Sequence, residues 1–187
     1  RTLDFQLVTS TLLREFQTQH INYAVIGGFA LGSWEVTRAT IDMDLLLLVD
    51  DATRAEKILT AQSYRCIHKT ENVAQYVSDS VPYGSIDILY AFREVSRHML
   101  ERSVEVDVVE GVAIRSLVPE DIIGLKLQAL VNEPAREPRD LWDMEALLLA
   151  RKRGGEQVEW EMLSEYFDLF DRGDLLAELR RKHDETE

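Results

Sequence analysis

Apolar positions set out a mixed chain of helices and strands. Phe5, Val8, Leu12, Leu13 and Phe16 recur at the three- and four-residue spacing of an amphipathic helix. The pattern then shortens. Tyr23 to Ile26 is a short apolar run stopped by Gly27-Gly28, which predicts a buried strand meeting a turn, and residues 28 to 36 predict a short helix. Met43 to Val49 predicts a strand. Asp50-Asp51 should end it and cap a helix reaching Gln62, with Ala55, Ile58 and Leu59 turned inward. Residues 64–68 and 73–78 predict an antiparallel pair, Pro82-Tyr83-Gly84 a turn, residues 86–90 a strand and residues 93–102 a short helix. Val104 to Val109 and Val112 to Arg115 predict a hairpin with Glu110-Gly111 at its tip.

The texture changes at residue 117. Pro119, with Glu120 and Asp121 in the first turn, opens a helix whose apolar face holds Ile122, Ile123, Leu125, Leu127 and Leu130. A second helix carries Leu141, Met144, Leu147 and Leu148 and stops at Gly154-Gly155, and two amphipathic segments, 157–170 and 174–183, follow. The fold class is therefore α/β in the broad α+β sense: a mixed sheet with flanking helices over residues 1–116, then a helical C-terminal region over 117–187 packed on that core.

The 187 residues, 45% of them hydrophobic, suffice for one core or for an α/β domain with a helical extension. No apolar run reaches the roughly 18 residues of a membrane span. The N-terminal stretch lacks the basic, apolar and small-residue order of a signal peptide. Cys66 is the single cysteine, so no intrachain disulfide forms, and the expected setting is the reducing cytoplasm. A net charge of −13 argues against a protein that grips a long nucleic-acid duplex through its phosphates. It leaves room for a local basic patch and for a metal site built of carboxylates.

Asp42 and Asp44 stand two apart at the head of the Met43 strand, so both carboxylates project from one face. Adjacent like charges repel, and a divalent cation offsets both the repulsion and the cost of desolvation. Hard oxygen ligands in small number suit Mg²⁺. Read alone, such a pair is better explained by two solvated carboxylates at a strand end. Gly27-Gly28, about fourteen residues earlier, adds a strand-to-helix turn whose backbone N–H groups can approach an anion. Asp87 lies within a predicted strand, between Ile86 and Ile88, where an aspartate is poorly suited. It reads as a third metal ligand, as a base for an attacking hydroxyl, or as a solvated edge residue. Glu105 and Asp107 read as a solvated face. His20, His68, His98 and His183 show no metal-ligand spacing.

These motifs, in order, resemble the nucleotidyltransferase superfamily. Gly-Gly-x-Ala, then Arg-x-Thr-x-Asp-x-Asp before an apolar run, is similar to the minimal and AbiEii-type nucleotidyltransferases associated with toxin–antitoxin systems. Pro119 to Ala129 resembles that group's PEDLIALKLxA helix, and Arg139 to Leu148 its RDLxDxxxLL helix. The resemblance spans residues 20 to 150. It implies a nucleotidyltransferase fold with catalytic, metal-binding Asp42, Asp44 and Asp87. It assigns nucleotide contacts to Gly27, Gly28, Arg38, Thr40, Lys126 and Asp140. Phe29 stands where many members carry serine, which leaves phosphate contacts to backbone groups aided by Ser33. Lys126 also reads as a lysine reaching to water from an apolar face, Arg38 as a partner of the acidic pair, Arg139 and Asp140 as first-turn charges, and Trp34 and Trp142 as packing residues.

The expected reaction moves a nucleoside monophosphate from a triphosphate to an acceptor hydroxyl, with two Mg²⁺ ions about 4 Å apart. The acceptor classes are a tRNA end, a protein side chain and a small molecule, and the expected partner protein is an antitoxin. The competing reading is a non-catalytic nucleotide- or partner-binding module of a toxin–antitoxin pair. Arg136, Arg139, Arg151, Lys152 and Arg153 read as a mixed-charge helix surface.

Overall fold

Alternation of apolar and polar side chains builds one seven-stranded sheet, described here from a computed structural model that covers residues 3–28, 30, 42–109 and 112–186. The strands are β1 (Tyr23–Ile26), β2 (Asp42–Leu48), β3 (Tyr64–Lys69), β4 (Val73–Ser78), β5 (Ser85–Ala91), β6 (Val104–Val109) and β7 (Val112–Ser116). Their spatial order is β3-β4-β5-β2-β1-β7-β6. β2 runs parallel to β5 and β1 parallel to β7, while the other neighbours are antiparallel. The central strands are buried on one face by Met43, Leu45, Leu47, Ile86, Ile88 and Tyr76. The residues between them, Asp42, Asp44, Gln75, Ser85 and Asp87, are half-exposed on the other face.

Among the described residues, three helices of two turns or more belong to the same unit. α1 begins at Phe5–Val8, passes through a π-helical stretch at Thr9–Leu13 and continues as Arg14–Thr18, burying Val8, Leu12, Leu13 and Phe16. α2 (Ala52–Ala61) buries Ala55, Ile58 and Leu59, and α3 (Glu94–Arg102) buries Met99 and Leu100. α3 packs on β2 and β5, α2 on β3, and α1 on β7.

Asp51 departs from the expected helix cap. It makes no side-chain capping hydrogen bond. Its buried carboxylate instead accepts from the Asn22 backbone N–H at 2.7 Å, the Asn22 side chain at 3.0 Å and Arg54 at 2.5 Å. Burial pushes this carboxyl up, but the bonds from Asn22 and Arg54 outweigh it and hold the group below its usual range. The residue thus ties the start of β1 to the start of α2.

The second unit begins at Val118 and is helical. It comprises α4 (Pro119–Asn132), α5 (Glu137–Arg153), α6 (Trp160–Leu169) and α7 (Gly173–Glu185). Its apolar core includes Ile123, Leu127, Met144, Leu147, Leu163 and Phe167. Trp142, expected to pack, is 55% exposed. Among the described residues no helix is long and apolar enough to cross a membrane.

Candidate active site

Strand register brings the acidic residues together. On parallel neighbours β2 and β5, Asp44 is the partner of Asp87 and Asp42 the partner of Ser85. Lateral partners share a face, and residues two apart on one strand share it too, so Asp42, Asp44 and Asp87 all project from the half-exposed side. Adjacent strands are about 4.8 Å apart, which puts these side chains within reach of one another through rotamer changes alone. Among the described residues, no three His, Cys, Asp or Glu already stand grouped as a metal cluster.

Asp87 carries the clearest electrostatic signature. Its Oδ1 is buried and has no hydrogen-bond partner. Burial raises its carboxyl above the usual value, the charge of Asp42 adds to the rise, and a hydrogen bond from Gln75 opposes it. Gln75 on β4 is the in-register neighbour of Asp87. A cavity of about 330 Å³ opens over this row, lined by Ile26, Asp44, His68, Gln75, Asp87 and Leu89 among others.

Gly27 closes the inner end of the row. It follows Ile26, the β1 partner of Asp44, and has φ +68°. A Cβ there would lie 2.2 Å from Asp44 Oδ2 and 2.8 Å from its Cγ. Only glycine allows both the left-handed turn and this approach of backbone to carboxylate. Gly27 and Gly28 start a helical turn directly after β1, and the first N–H groups of a helical turn have no partner within it. Ser33, Arg38, Thr40 and Trp34 lie outside the described residues.

Lys126 and Asp140 form a cluster of their own in the helical unit. Lys126 Nζ donates to Asp143 Oδ2 at 2.7 Å and Asp140 Oδ1 at 3.4 Å. Arg136 Nε donates to Asp140 Oδ2 at 3.0 Å. Both aspartates are fully buried. The lysine therefore does not run out to water from an apolar face, and Asp140 is no ordinary first-turn charge. Glu120 and Asp121 are buried as well. Glu120 accepts from Arg151 at 2.9 Å and from the Glu159 backbone N–H at 3.1 Å, and Asp121 accepts from the Tyr166 hydroxyl at 2.6 Å. A Cβ at Gly124 would lie 2.9 Å from the Tyr166 ring, so glycine is what lets the ring come in to make that bond.

A family model described as AbiEii, the nucleotidyl transferase toxin of a type IV toxin–antitoxin (TA) system, matches residues 11–187. The chain belongs to the AbiEii nucleotidyl transferase family. No curated protein matches it. Among solved structures, the AbiEii chain is similar to the antibiotic-resistance factor ANT(2'')-Ia, with TM-score 0.63 and 16% identity over 97% of this chain and 100% of that one. The lincomycin-bound lincosamide antibiotic adenylyltransferase LnuA gives TM-score 0.58 and 14% identity over 79% of this chain and 98% of that one. An antigenic nucleotidyltransferase-like protein from Paracoccidioides brasiliensis gives 0.60 and 14% over 96% and 95%. The shared property at these identities is the fold, a nucleotidyltransferase fold as the motifs implied.

Two basic side chains on the carboxylate face escaped the sequence reading. β3 pairs regularly with β4 as far as Cys66, then skips Ile67, so that His68 rather than Ile67 faces Gln75. Arg65 and His68 consequently share the face of the carboxylates. Strict alternation would have separated them, and nothing local in the residue pattern announces the skipped position.

Proposed function

We propose that this AbiEii protein transfers a nucleoside monophosphate from a triphosphate to an acceptor hydroxyl, with Asp42, Asp44 and Asp87 as the catalytic carboxylates. The observation that carries the reading is the register of Asp44 against Asp87 with Asp42 on the same face. The orphaned Oδ1 of Asp87 and an all-oxygen donor set fit a hard divalent cation. Mg²⁺ held by the three aspartates, as one ion or two, would neutralise the triphosphate and favour the ionised acceptor.

The protein's own groups do the rest. Backbone N–H groups at Gly27 and Gly28 cradle the phosphates, and Gly27 also keeps the Asp44 carboxylate in place. The catalytic core is residues 1–116 and the helical region residues 117–187, and within the core Ser33, Arg38 and Thr40 extend the nucleotide contacts. Asp87, its affinity for a proton raised by burial, accepts the proton of the acceptor hydroxyl. The acceptor oxygen bonds to the α-phosphorus, the bond from that phosphorus to the bridging oxygen breaks, and pyrophosphate leaves. The acceptor is a tRNA end, a protein side chain or a small molecule, and an antitoxin is the partner protein. The single cysteine supports a reducing, cytoplasmic site of action.

Incubation with each α-labelled triphosphate, Mg²⁺, total RNA and total protein tests the reaction. Wild type labels an acceptor, and Asp44→Asn reduces labelling at least about 100-fold with an unchanged fold, the scale of losing one preorganised electrostatic group. Wild-type labelling by that variant would overturn the assignment.

A further inference from the structure

We infer that the outer rim of the site, Arg65 and His68 on β3, is a phosphate-binding subsite for the acceptor, an assignment that rests on the transfer reaction proposed above. Register partners run across the sheet as His68, Gln75, Asp87, Asp44 and Ile26, on five neighbouring strands in turn. A second row runs Arg65, Val77, Ser85 and Asp42. Each acidic row therefore ends in a basic side chain at β3, the edge of the sheet.

The irregularity at Ile67 creates this arrangement. Skipping one residue puts both Arg65 and His68 on the carboxylate face and leaves Ile67 unpaired and 48% exposed. His68 stands two strand spacings from Asp87, about 9–10 Å between backbones. It lines the same cavity as Asp87. A hydroxyl placed at Asp87 Oδ1 thus leaves the body of its molecule over Val73 and Leu89 and its far end at His68.

Charge decides what that far end carries. The chain has a net charge of −13, yet β3 contributes Arg65, His68 and Lys69 and no acidic residue. Lys69 is engaged by Glu56 at 2.5 Å. Among the described residues Arg65 pairs with Asp79, at 3.6 Å with both side chains largely exposed, a weak surface contact that an anion readily replaces. A guanidinium and an imidazole N–H on an open edge match the oxygens of a phosphate group. The cavity holds about 330 Å³, near the lower limit for a small-molecule site. The acceptor therefore enters as one hydroxyl-bearing unit, with a phosphate at the rim and any remaining chain beyond the edge.

Titrating ¹⁵N-labelled protein with a 5′-phosphorylated dinucleotide and with ribose 5-phosphate, alongside the Arg65→Gln/His68→Gln variant, tests the subsite. Wild-type amide shifts should cluster at residues 65–75, and the variant should bind at least about 10-fold more weakly. Its binding of Mg²⁺ with a non-hydrolysable triphosphate should stay within 2-fold of wild type. Binding of the dinucleotide alone identifies a strand end as the phosphate's source, and binding of both identifies any phosphorylated hydroxyl compound. Equal affinity in wild type and variant, shifts elsewhere, or binding of neither probe overturns the subsite. Failure of the transfer reading shows differently, as no triphosphate binding by wild type. Both side chains are exposed, and Arg65→Lys with native His68 should restore most of the affinity.

Discussion

Two sets of carboxylates occupy this chain, and they are handled in opposite ways. In the helical unit, Asp140 and Asp143 share Lys126, Glu120 is held by Arg151, and Asp121 receives the Tyr166 hydroxyl. Each buried charge there has a donor supplied by a neighbouring helix. On the sheet, Asp87 keeps one buried oxygen with no donor, and burial together with the charge of Asp42 raises its proton affinity against a hydrogen bond from Gln75. The acids of the helical unit are held by cations and a hydroxyl from its own helices, whereas a buried, incompletely bonded carboxylate such as Asp87 is the kind of perturbed group that clusters at functional sites.

That contrast can be broken most forcefully at Lys126. Lys126→Met removes the shared cation of two fully buried aspartates and should cost about 3–5 kcal/mol in chemical denaturation. A cost below 1 kcal/mol would mean that the cluster does not hold the helices together. Gly27→Ala is the corresponding perturbation on the sheet. The added Cβ strikes the Asp44 carboxylate, so transfer should fall about 100-fold, the scale of a 1 Å misplacement. The left-handed backbone adds about 1–2 kcal/mol of destabilisation. Normal transfer rates would detach Gly27 from the positioning of Asp44.

The smallest effect sharpens the contrast through pH. Asp87 binds its proton more tightly folded than unfolded, so its ionisation lowers stability as pH rises from 3.8 through its raised folded value. Asp87→Asn should therefore be more stable than wild type at neutral pH, by less than about 1 kcal/mol given solvent screening. The advantage should vanish below pH 3.8. Thermal melting across that range checks the sign, and a variant less stable than wild type at pH 7 would contradict it.

Local patterning singled out the carboxylates and glycine that the sheet register brings together. The acidic pair on a short apolar strand, the double glycine before it and an aspartate between two isoleucines each break a local rule, and their spacing along the chain suggested a meeting point. The sheet order could not be read this way, because β2 finds β5 through contacts between distant segments. Glu120 and Asp121 looked like first-turn charges complementing a helix dipole, since burial under Arg151 and Tyr166 comes from helices thirty to forty-five residues away. Arg65 and His68 were missed because one skipped residue reverses which side chains share a face.

Calorimetric titration of wild type and Asp44→Asn with a non-hydrolysable triphosphate, with and without Mg²⁺, bears most directly on the three carboxylates of the sheet. Wild type should bind only when the metal is present, and the variant should lose at least about 100-fold in affinity under the same conditions. Equal binding by both proteins, or binding indifferent to Mg²⁺, would contradict the account.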